Sequence, residues 1–335
     1  MNIFPAQYST LSSAALKDYL EKSYLFKGMT CRLLIRNVSD TYILENSSSK
    51  YIFKIYRDAH RKLEEIKGEV ELLNILARKG AKVSYPIKDR NGEQIQMFNA
   101  AEGIRYGVLF TYARGRVVND MNAEQLDTLG REMAVIHNIT SAIDLKYHRK
   151  GYSIDTTITQ PLKTIKPAFN ELEPEYAYLI NTADKVIAKL GQFNLSGFSY
   201  GYCHYDFLPK NFHFSEDGDI TFFDFDFAGK GYLANDITTF YIHYFLEVNF
   251  NKITQGGADN AFNVFLESYR KVRPLADDEI KAIPYLGFAF WVFYLGFQYE
   301  NFDDWSNIFF GNKFLKDRVA LIKKWMGDDQ NAGVF

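Results

Sequence analysis

The hydrophobic pattern of the chain changes from mainly strand-like to mainly helical near residue 113, and this change limits the folds it can adopt. Up to residue 112 the pattern is that of short strands, rich in β-branched and aromatic residues and separated by turn-forming runs. A helical stretch at 59–78 interrupts them, and a short helix is expected near 11–23. Residues 30–112 are therefore predicted to form a five-stranded antiparallel sheet with one helix. The strand-like segments lie at 31–37, 41–46, 50–56, 83–89, 93–98 and 106–112, with a turn at Asn91-Gly92.

The rest of the chain has a helical pattern. Residues 113–115 (ARG) are predicted to be a hinge, because helical periodicity replaces strand periodicity after them. A length of 335 residues suits two lobes. The prediction is an α+β fold with an N-terminal lobe at 1–112 and a mainly helical C-terminal lobe at 113–335. Helices are expected near 123–138, 170–191, 235–249, 258–271, 277–299 and 312–326.

Composition and charge exclude several classes of protein. A formal net charge of -2 creates no long-range field, so neither nucleic acid nor an acidic membrane is an expected partner. Two cysteines are too few for a disulfide framework, and the opening MNIFPAQYST lacks the features of a signal peptide. A cytoplasmic protein is expected. The most apolar stretch, 285–297, covers about 20 Å as a helix, whereas a bilayer core needs about 30 Å, so it is predicted to be a buried helix.

The segment at 200–236 carries the most informative polar residues. Asp206 is followed five residues later by Asn211, and Asp224 comes after the strand-like ITFF. The runs NFHF and DITFF flank the turn SEDG, so a hairpin is expected to bring Asp224 back toward the other two residues. Phosphoryl transfer needs a carboxylate to orient the attacking hydroxyl and hard oxygen ligands for Mg²⁺ on the ATP phosphates. These residues offer both, although each alone is also common in surface turns.

The pattern His-x-Asp-x-x-x-x-Asn, followed after a hairpin by an apolar-flanked Asp, resembles a known superfamily. This superfamily comprises aminoglycoside phosphotransferases, choline kinases and type II homoserine kinases. The resemblance implies a two-lobed protein-kinase-like fold and a kinase that uses ATP and Mg²⁺. It implies that Asp206 is the catalytic carboxylate on a loop supported by His204, and that Asn211 and Asp224 are Mg²⁺ ligands. Asp236, in GKGYLANDIT, matches a family Asp that braces the catalytic loop.

The N-terminal lobe contains a lysine and a glutamate that fit the same resemblance. Lys54 lies mid-strand in YIFKIY, like the lysine that pairs the α- and β-phosphates in this fold. Glu69, on the next helix, resembles the family's paired glutamate, with Glu71 as the alternative. Taken alone, Lys54 would more often be a solvated strand lysine and Glu69 a solvent-facing helix residue.

Two further segments resemble nucleotide contacts. The turn at 37–41 lacks the glycines of a G-x-G-x-x-G loop, a feature the superfamily often lacks. Ser39 and Thr41 are candidates for phosphate contact, although Asp40 between them is unfavourable to an anion. GVLFTYARGR resembles the hinge strand whose backbone receives adenine. Its candidate residues are Phe110, Tyr112 and Ala113.

Three features leave alternatives open. Tyr205 stands between the catalytic His and Asp, where the superfamily usually has a small residue, and its ring is expected either to crowd the loop or to lie against the substrate. Asp226 is either a second metal contact or a turn former. The run at 299–305 (YENFDDW) is either an amine-binding surface, through carboxylate and cation–π contacts, or an exposed helix end.

The acceptor is expected to be a small-molecule alcohol. The opening segment FPAQYSTLSSAALKDYLEKSY and the phrase RNVSDTYIL resemble the homoserine-kinase-like branch, which favours an amino alcohol or a hydroxy amino acid such as homoserine. An aminoglycoside or other amino sugar is the second interpretation, and a protein Ser/Thr acceptor is the third. The rival from another class is a catalytically silent pseudokinase that binds nucleotide, and Tyr205 is the local reason to keep it.

Overall fold

A computed structural model describes residues 5, 6, 8–301 and 310–327. By their internal contacts these residues divide into two compact units. The first comprises the chain up to Arg114 together with Leu145–Arg149 and Thr221–Phe223. The second comprises Gly115–Asp144, Lys150–Ile220 and the chain from Asp224 onward.

The first unit is built on a five-stranded sheet. Its elements are α1 (Ser13–Tyr24), β1 (Thr30–Arg36), β2 (Ser39–Glu45), β3 (Lys50–Tyr56), α2 (Leu63–Arg78), β4 (Ile95–Ala100) and β5 (Gly103–Thr111). The strands lie in the order β1-β2-β3-β5-β4, and all neighbours pair antiparallel. Together with the helices of the second unit, this sheet confirms the predicted α+β fold class with a five-stranded antiparallel sheet.

The prediction of a strand at 83–89 is wrong. Val83 and Pro86 make only isolated bridges there. Proline has no N–H to donate to a ladder, so a segment with Pro86 at its centre cannot pair along its length. The Asn91-Gly92 turn, in which Gly92 has φ of 88°, does not join adjacent strands either. The hairpin connection lies instead between β4 and β5.

A buried ion pair lies within the first unit. Arg105 Nη2 donates to Asp40 Oδ2 at 3.0 Å, and both side chains are almost completely buried. Arg105 also donates to the backbone oxygens of Ser9 at 2.7 Å and Tyr56 at 3.2 Å. A buried guanidinium is tolerated only when its donors find acceptors in this way.

The second unit is mainly helical. Its elements are α3 (Ala123–Thr140), α4 (Gln160–Ile165), α5 (Glu173–Leu190), β6 (Tyr200–Cys203), β7 (Phe212–Phe214), β8 (Ile220–Phe222), β9 (Gly229–Tyr232), α6 (Ala234–Asn249), α7 (Gln255–Arg270), α8 (Asp277–Lys281), α9 (Ile283–Asn301) and α10 (Asn312–Trp325). Strand β6 pairs with β9, and β7 with β8, which is the predicted hairpin.

Two helical features of the second unit were not predicted. The stretch at 155–169 is a π turn, α4 and a 3₁₀ turn in succession, too short in each part for a clear hydrophobic period. The predicted helix at 277–299 is two helices, because the chain breaks at Ala282 and α9 begins at Ile283, with Pro284 in its first turn.

Helices α6 and α9 form the interior of this unit. The first twelve residues of α6, from Ala234 to Phe245, are all buried, so the helix has no solvent-facing side there. Helix α9 contains the apolar stretch 285–297, and a Cβ on Gly287 would lie 2.1 Å from the Trp325 ring, so only glycine admits the indole. Among the described residues, no helix combines the length and apolar character needed to cross a membrane.

Candidate active site

The catalytic loop joins β6 to β7 and is held by the carboxylate of Asp236, in the first turn of α6. Asp236 Oδ2 accepts the His204 N–H at 2.8 Å, and Oδ1 accepts the Tyr205 N–H at 2.7 Å. His137 Nε2 lies 3.0 Å from Oδ2, and its Nδ1 lies 2.8 Å from the Tyr269 hydroxyl. Both the carboxylate and the imidazole are completely buried. A buried carboxylate that binds two successive backbone amides fixes the path of the loop.

Tyr205 adopts a left-handed backbone conformation, with φ of 64°. A non-glycine residue pays about 1–2 kcal/mol for this conformation, which explains the preference for a small residue at this position. The Tyr205 ring is buried and stacks on Tyr152 with centroids 3.5 Å apart. The ring therefore packs into the interior of the unit and is not a substrate-facing surface.

Asp206 is nearly buried, and its two carboxylate oxygens differ in environment. Oδ2 accepts a hydrogen bond from Asn211 Nδ2 at 2.8 Å and lies 2.9 Å from the Lys210 ammonium. Oδ1 has no hydrogen-bond partner among the described residues. On the backbone, the Asp206 N–H meets His204 Nδ1 at 3.3 Å, and the next N–H donates to Thr239 Oγ1 at 3.1 Å.

Lys210 was missed by the sequence analysis. Burial lowers the pKa of its ammonium, but the charge of Asp206, the hydrogen bond with that residue and the charge of Asp224 together raise it above its ordinary value. The lysine is therefore protonated at neutral pH and places a positive charge beside two carboxylates. The sequence feature that could have identified Lys210 is its position within the His-x-Asp-x-x-x-x-Asn pattern.

Thr239 is another residue that the sequence analysis missed. Its position one helical turn after Asp236 on α6 could have identified it.

Asp224 and Asp226 follow the β7–β8 hairpin. Asp224 is exposed and left-handed, with φ of 61°, whereas Asp226 is almost completely buried. The negative charges of both Asp206 and Asp224 raise the pKa of Lys210 and contribute to the raised pKa of Tyr294, where burial is the largest cause. The two carboxylates therefore lie near the same side chains, and Tyr294 is a second residue that the sequence analysis missed.

In the first unit, Lys54 Nζ lies 3.8 Å from Glu69 Oε1, and both side chains are buried. Glu71, the alternative partner, has another function: its Oε2 accepts the N–H groups of Lys146 and Tyr147 at 2.9 and 3.1 Å. Glu71 thus anchors the segment Leu145–Arg149 on α2.

The other predicted nucleotide contacts lie on the same sheet. Ser39 begins β2, and Thr41 pairs with Lys54 across β2 and β3. Asp40 between them is directed to Arg105 and is completely buried, so its charge is neutralised and does not face an anion. The negative charge of Asp40 is therefore no argument against phosphate contact by Ser39 and Thr41.

The predicted hinge follows the last strand. Phe110 pairs with Ile52 within β5 and β3, while Tyr112 and Ala113 lie just beyond the end of β5. Ser84 Oγ donates to the Thr111 carbonyl at 2.6 Å, which fixes the strand end.

The run at 299–305 was predicted to be either an amine-binding surface or an exposed helix end. Residues 302–305 of this run lie outside the described residues.

Comparisons with known proteins identify the family and the fold of the chain. A family model described as "Phosphotransferase enzyme family" matches residues 31–275. A protein of Synechocystis sp. named only as uncharacterised is 30% identical over 91% of this chain and 83% of its own length. A homoserine kinase of Paramagnetospirillum magneticum is 25% identical over 84% of each chain.

Two solved structures share the fold. One is an amicoumacin kinase in complex with AMP-PNP, Ca²⁺ and Ami, with a TM-score of 0.73, 20% identity and coverage of 95% of this chain and 94% of the other. The second is a microcompartment-associated aminopropanol kinase, with a TM-score of 0.73, 18% identity and coverage of 93% and 95%. At these identities the likeness establishes the kinase-like fold.

A strand lysine paired with a helix glutamate, and a separate loop that carries a buried Asp and Asn, define the kinase-like class of phosphotransferases. The chain belongs to the phosphotransferase enzyme family, whose model covers most of its length. It is accordingly an enzyme of the small-molecule kinase class, with an alcohol group as the phosphate acceptor.

Proposed function

We propose that the protein transfers the γ-phosphate of ATP, with Mg²⁺, to the hydroxyl of a small amino alcohol or hydroxy amino acid. The observation that carries this proposal is the free Oδ1 of Asp206, a nearly buried carboxylate oxygen with no hydrogen-bond partner among the described residues. Leaving a buried acceptor unpaired costs about 1–3 kcal/mol, which a bound hydroxyl recovers.

The chemistry assigned to Asp206 is orientation of the acceptor. Its Oδ1 accepts the hydrogen bond of the acceptor hydroxyl and directs that oxygen at the γ-phosphorus. The new O–P bond forms as the bond to the β–γ bridging oxygen breaks, ADP leaves, and the hydroxyl proton passes to the carboxylate. Lys210 and Asn211 both hold Oδ2, so they keep Oδ1 turned toward the acceptor.

Asn211 and Asp224 are the proposed Mg²⁺ ligands. Asn211 uses its amide nitrogen to bind Asp206, so the amide oxygen is the atom available for a metal. Within the described residues, no group of three or more His, Cys, Asp or Glu side chains could hold a metal alone. Mg²⁺ does not need one, because it keeps waters and substrate phosphate oxygens as ligands, and an amide and a carboxylate suit it. When bound, it would neutralise charge on the phosphates.

Lys54, oriented by Glu69, is the proposed contact to the α- and β-phosphates. A lysine that is buried at 3.8 Å from a buried carboxylate has a fixed ammonium position, unlike a solvated lysine. Ser39 and Thr41 are proposed to contact phosphate, and the backbone at Phe110, Tyr112 and Ala113 to receive adenine.

The choice of acceptor is supported by two relatives. The homoserine kinase and the aminopropanol kinase that resemble this chain both act, by their names, on small molecules that carry an amine and a hydroxyl. We therefore place an amino alcohol or a hydroxy amino acid before an aminoglycoside as the acceptor class.

A phosphotransfer screen tests the proposal. ADP release is measured with ATP, Mg²⁺ and a panel of amino alcohols, homoserine and aminoglycosides, for the native protein and for Asp206→Asn, Asp224→Asn and Lys54→Met. Each variant is expected to lose about 10²–10⁴-fold in kcat on the acceptor that works. Asp317→Asn, an exposed change on α10, is the matched control and should retain activity.

Nucleotide binding separates failure of chemistry from failure of folding. A thermal shift with ATP and Mg²⁺ should persist in Asp206→Asn, because that residue contacts the acceptor. Full transfer by Asp206→Asn would contradict the proposal. A nucleotide-induced shift in the native protein without turnover on any acceptor would favour the silent nucleotide-binding alternative.

A further inference from the structure

A cavity of about 240 Å³ lies within the second unit, away from the catalytic loop. Its walls are the start of α3 with the residues just before it, the C-terminal half of α6, and α7. On α6 the lining residues are Tyr244 and Glu247. Tyr244 follows Asp236 by eight positions, which is about 12 Å along a helix axis. The cavity is therefore separate from the loop that Asp236 holds.

Tyr244 carries a buried hydroxyl without a partner at this cavity. The residue is 4% exposed, and its hydroxyl oxygen has no hydrogen-bond partner among the described residues. Its ring packs against Phe240 and His243, with centroids 5.4 and 5.1 Å apart, so its position is fixed. An unpaired buried hydroxyl is unfavourable, so a molecule in the cavity that bonds to it gains binding free energy.

The wall that precedes α3 is held in place by the chain itself. His243 Nε2 lies 3.1 Å from the Asn119 carbonyl oxygen and donates to it, because a carbonyl oxygen can only accept. Asn122 then caps α3, since its Oδ1 accepts the Gln125 N–H at 2.9 Å. The cavity is thus formed before any ligand binds, as small-molecule sites usually are.

The charges around the cavity favour a cation. Asp120 and Glu247 line it, and none of the described lining residues is Lys, Arg or His. Glu247 Oε1 lies 2.8 Å from the Lys252 ammonium, so its charge is partly balanced. Asp120 is exposed, which places it at the mouth, and it has no ion-pair partner among the described residues. An ammonium group is the ligand group that complements this carboxylate.

The rest of the lining is mainly apolar. Met121 and Leu126 are buried, and Val264 on α7 is half-buried. An apolar cavity of roughly 150 Å³ holds one benzene molecule, so a volume of about 240 Å³ admits a single ring with a short substituent. Apolar side chains at depth and a carboxylate at the mouth suit a ligand with an apolar body and one charged end.

We propose that this cavity is a second ligand site, which binds a small organic ammonium compound with an apolar body of about one ring. The body packs against Met121, Leu126 and Val264, and the ammonium group faces Asp120 and donates to the Tyr244 hydroxyl oxygen. The site is distinct from that of the phosphate acceptor, and it does not depend on the proposed function.

Two probes of nearly equal shape test the charge. Benzylamine, which is protonated at neutral pH, and benzyl alcohol are titrated into the full chain, and NMR signals of the probes give their dissociation constants. Benzylamine is expected to bind about tenfold more tightly, as a charged hydrogen bond is stronger than a neutral one. Asp120→Asn should reduce this preference to about twofold. Asp317→Asn, exposed on α10, is the matched control and should leave it unchanged.

Filling the cavity tests the location. Ala261→Leu enlarges a half-buried side chain of the lining, so both probes should bind about tenfold more weakly. Ala188→Leu, exposed on α5, is the matched control and should bind both as the native protein does. Asp206→Asn should also leave both dissociation constants unchanged, because the catalytic loop does not line the cavity.

Tyr244→Phe removes the hydroxyl and keeps the ring, so it tests the site even if Ala261→Leu does not fold. Benzylamine should bind about fivefold more weakly to it. The melting temperature of the unliganded variant should not fall, since the deleted hydroxyl has no partner to lose. A hydroxyl with a purely structural role would instead lower the melting temperature when removed.

The results that overturn the proposal are specific. Equal affinities for the two probes, or no binding of either, refute an ammonium site. Benzylamine binding that survives both Ala261→Leu and Tyr244→Phe, or that is lost in Asp206→Asn, shows that the probe occupies another place. A lower melting temperature of Tyr244→Phe also counts against the site. Preference for benzylamine that weakens in Asp120→Asn and Tyr244→Phe, but not in Asp206→Asn, supports it.

Discussion

Replacing Asp236 by Asn tests how the catalytic loop is held. The carboxylate accepts the N–H groups of His204 and Tyr205 and contacts His137, all at 3.0 Å or less. An Asn has one acceptor oxygen, so with that oxygen on Tyr205 its NH₂ faces the His204 N–H, donor against donor. His137 can adapt by changing tautomer, but the His204 amide cannot.

The expected cost follows from that geometry. A hydrogen bond to a charged group contributes about 1.5–3 kcal/mol, and an unsatisfied buried donor costs about 1–3 kcal/mol, so we expect a loss of about 3 kcal/mol in unfolding free energy. The left-handed backbone of Tyr205 is also released, which moves the loop that carries Asp206 and lowers kcat at least tenfold.

Urea unfolding, followed by tryptophan fluorescence, measures the change in midpoint at constant m-value. Asp317→Asn, exposed on α10, should stay within about 0.5 kcal/mol of the native protein. If Asp236→Asn unfolds within the same margin and keeps its kcat, the bracing argument is refuted.

Three further predictions concern the rest of the chain. Arg105→Leu leaves the Asp40 carboxylate buried without its positively charged partner, so urea unfolding should show a loss of about 3–5 kcal/mol, and a loss under 1 kcal/mol would contradict this. Burial raises the pKa of the Cys31 thiol to about 11 and that of the Cys203 thiol well above its usual value. Both thiols should therefore resist iodoacetamide at pH 8 in the native protein and react only when it is unfolded, and rapid labelling of the native protein would refute this prediction. Gly130→Ala puts a Cβ 2.4 Å from a carbonyl oxygen of α7, so the melting temperature should fall and the unfolding free energy should decrease by about 1–3 kcal/mol. At a helix position with open space, the same change would stabilise the protein.

Much of the fold followed from hydrophobic period and turn residues. Strands β1 to β3 are separated by short turn-forming runs and pair with their sequence neighbours, so local pattern was sufficient for them. The prediction of a strand at 83–89 was wrong because the apolar neighbours of Pro86 were given more weight than the proline. The helical turns at 155–169 were not predicted, because each is too short to show a clear repeat of the hydrophobic pattern.

Some residues of the candidate site were likewise predicted from the sequence, and others were not. Lys54, Glu69, Asp206, Asn211, Asp224 and Asp236 were singled out by motif spacing. The structure gives a contact between Lys54 and Glu69, another between Asp206 and Asn211, and one from Asp236 to the backbone of the catalytic loop. Their roles in the reaction stay predictions until variants are measured. Lys210 and Tyr294 were not singled out, since a loop lysine and a helical tyrosine are common in any sequence.

The sequence by itself determined the two kinds of secondary structure, the order of the elements and the identity of the polar motif, because these depend on residues close together in the chain. Only the tertiary structure decided that Glu69 and not Glu71 meets Lys54, that Tyr205 is buried, and that Phe293 of α9 packs against the Tyr205 ring. Such contacts join residues tens of positions apart. Which of many chemically equivalent side chains meet is settled by close packing of the whole unit, and no local pattern encodes it.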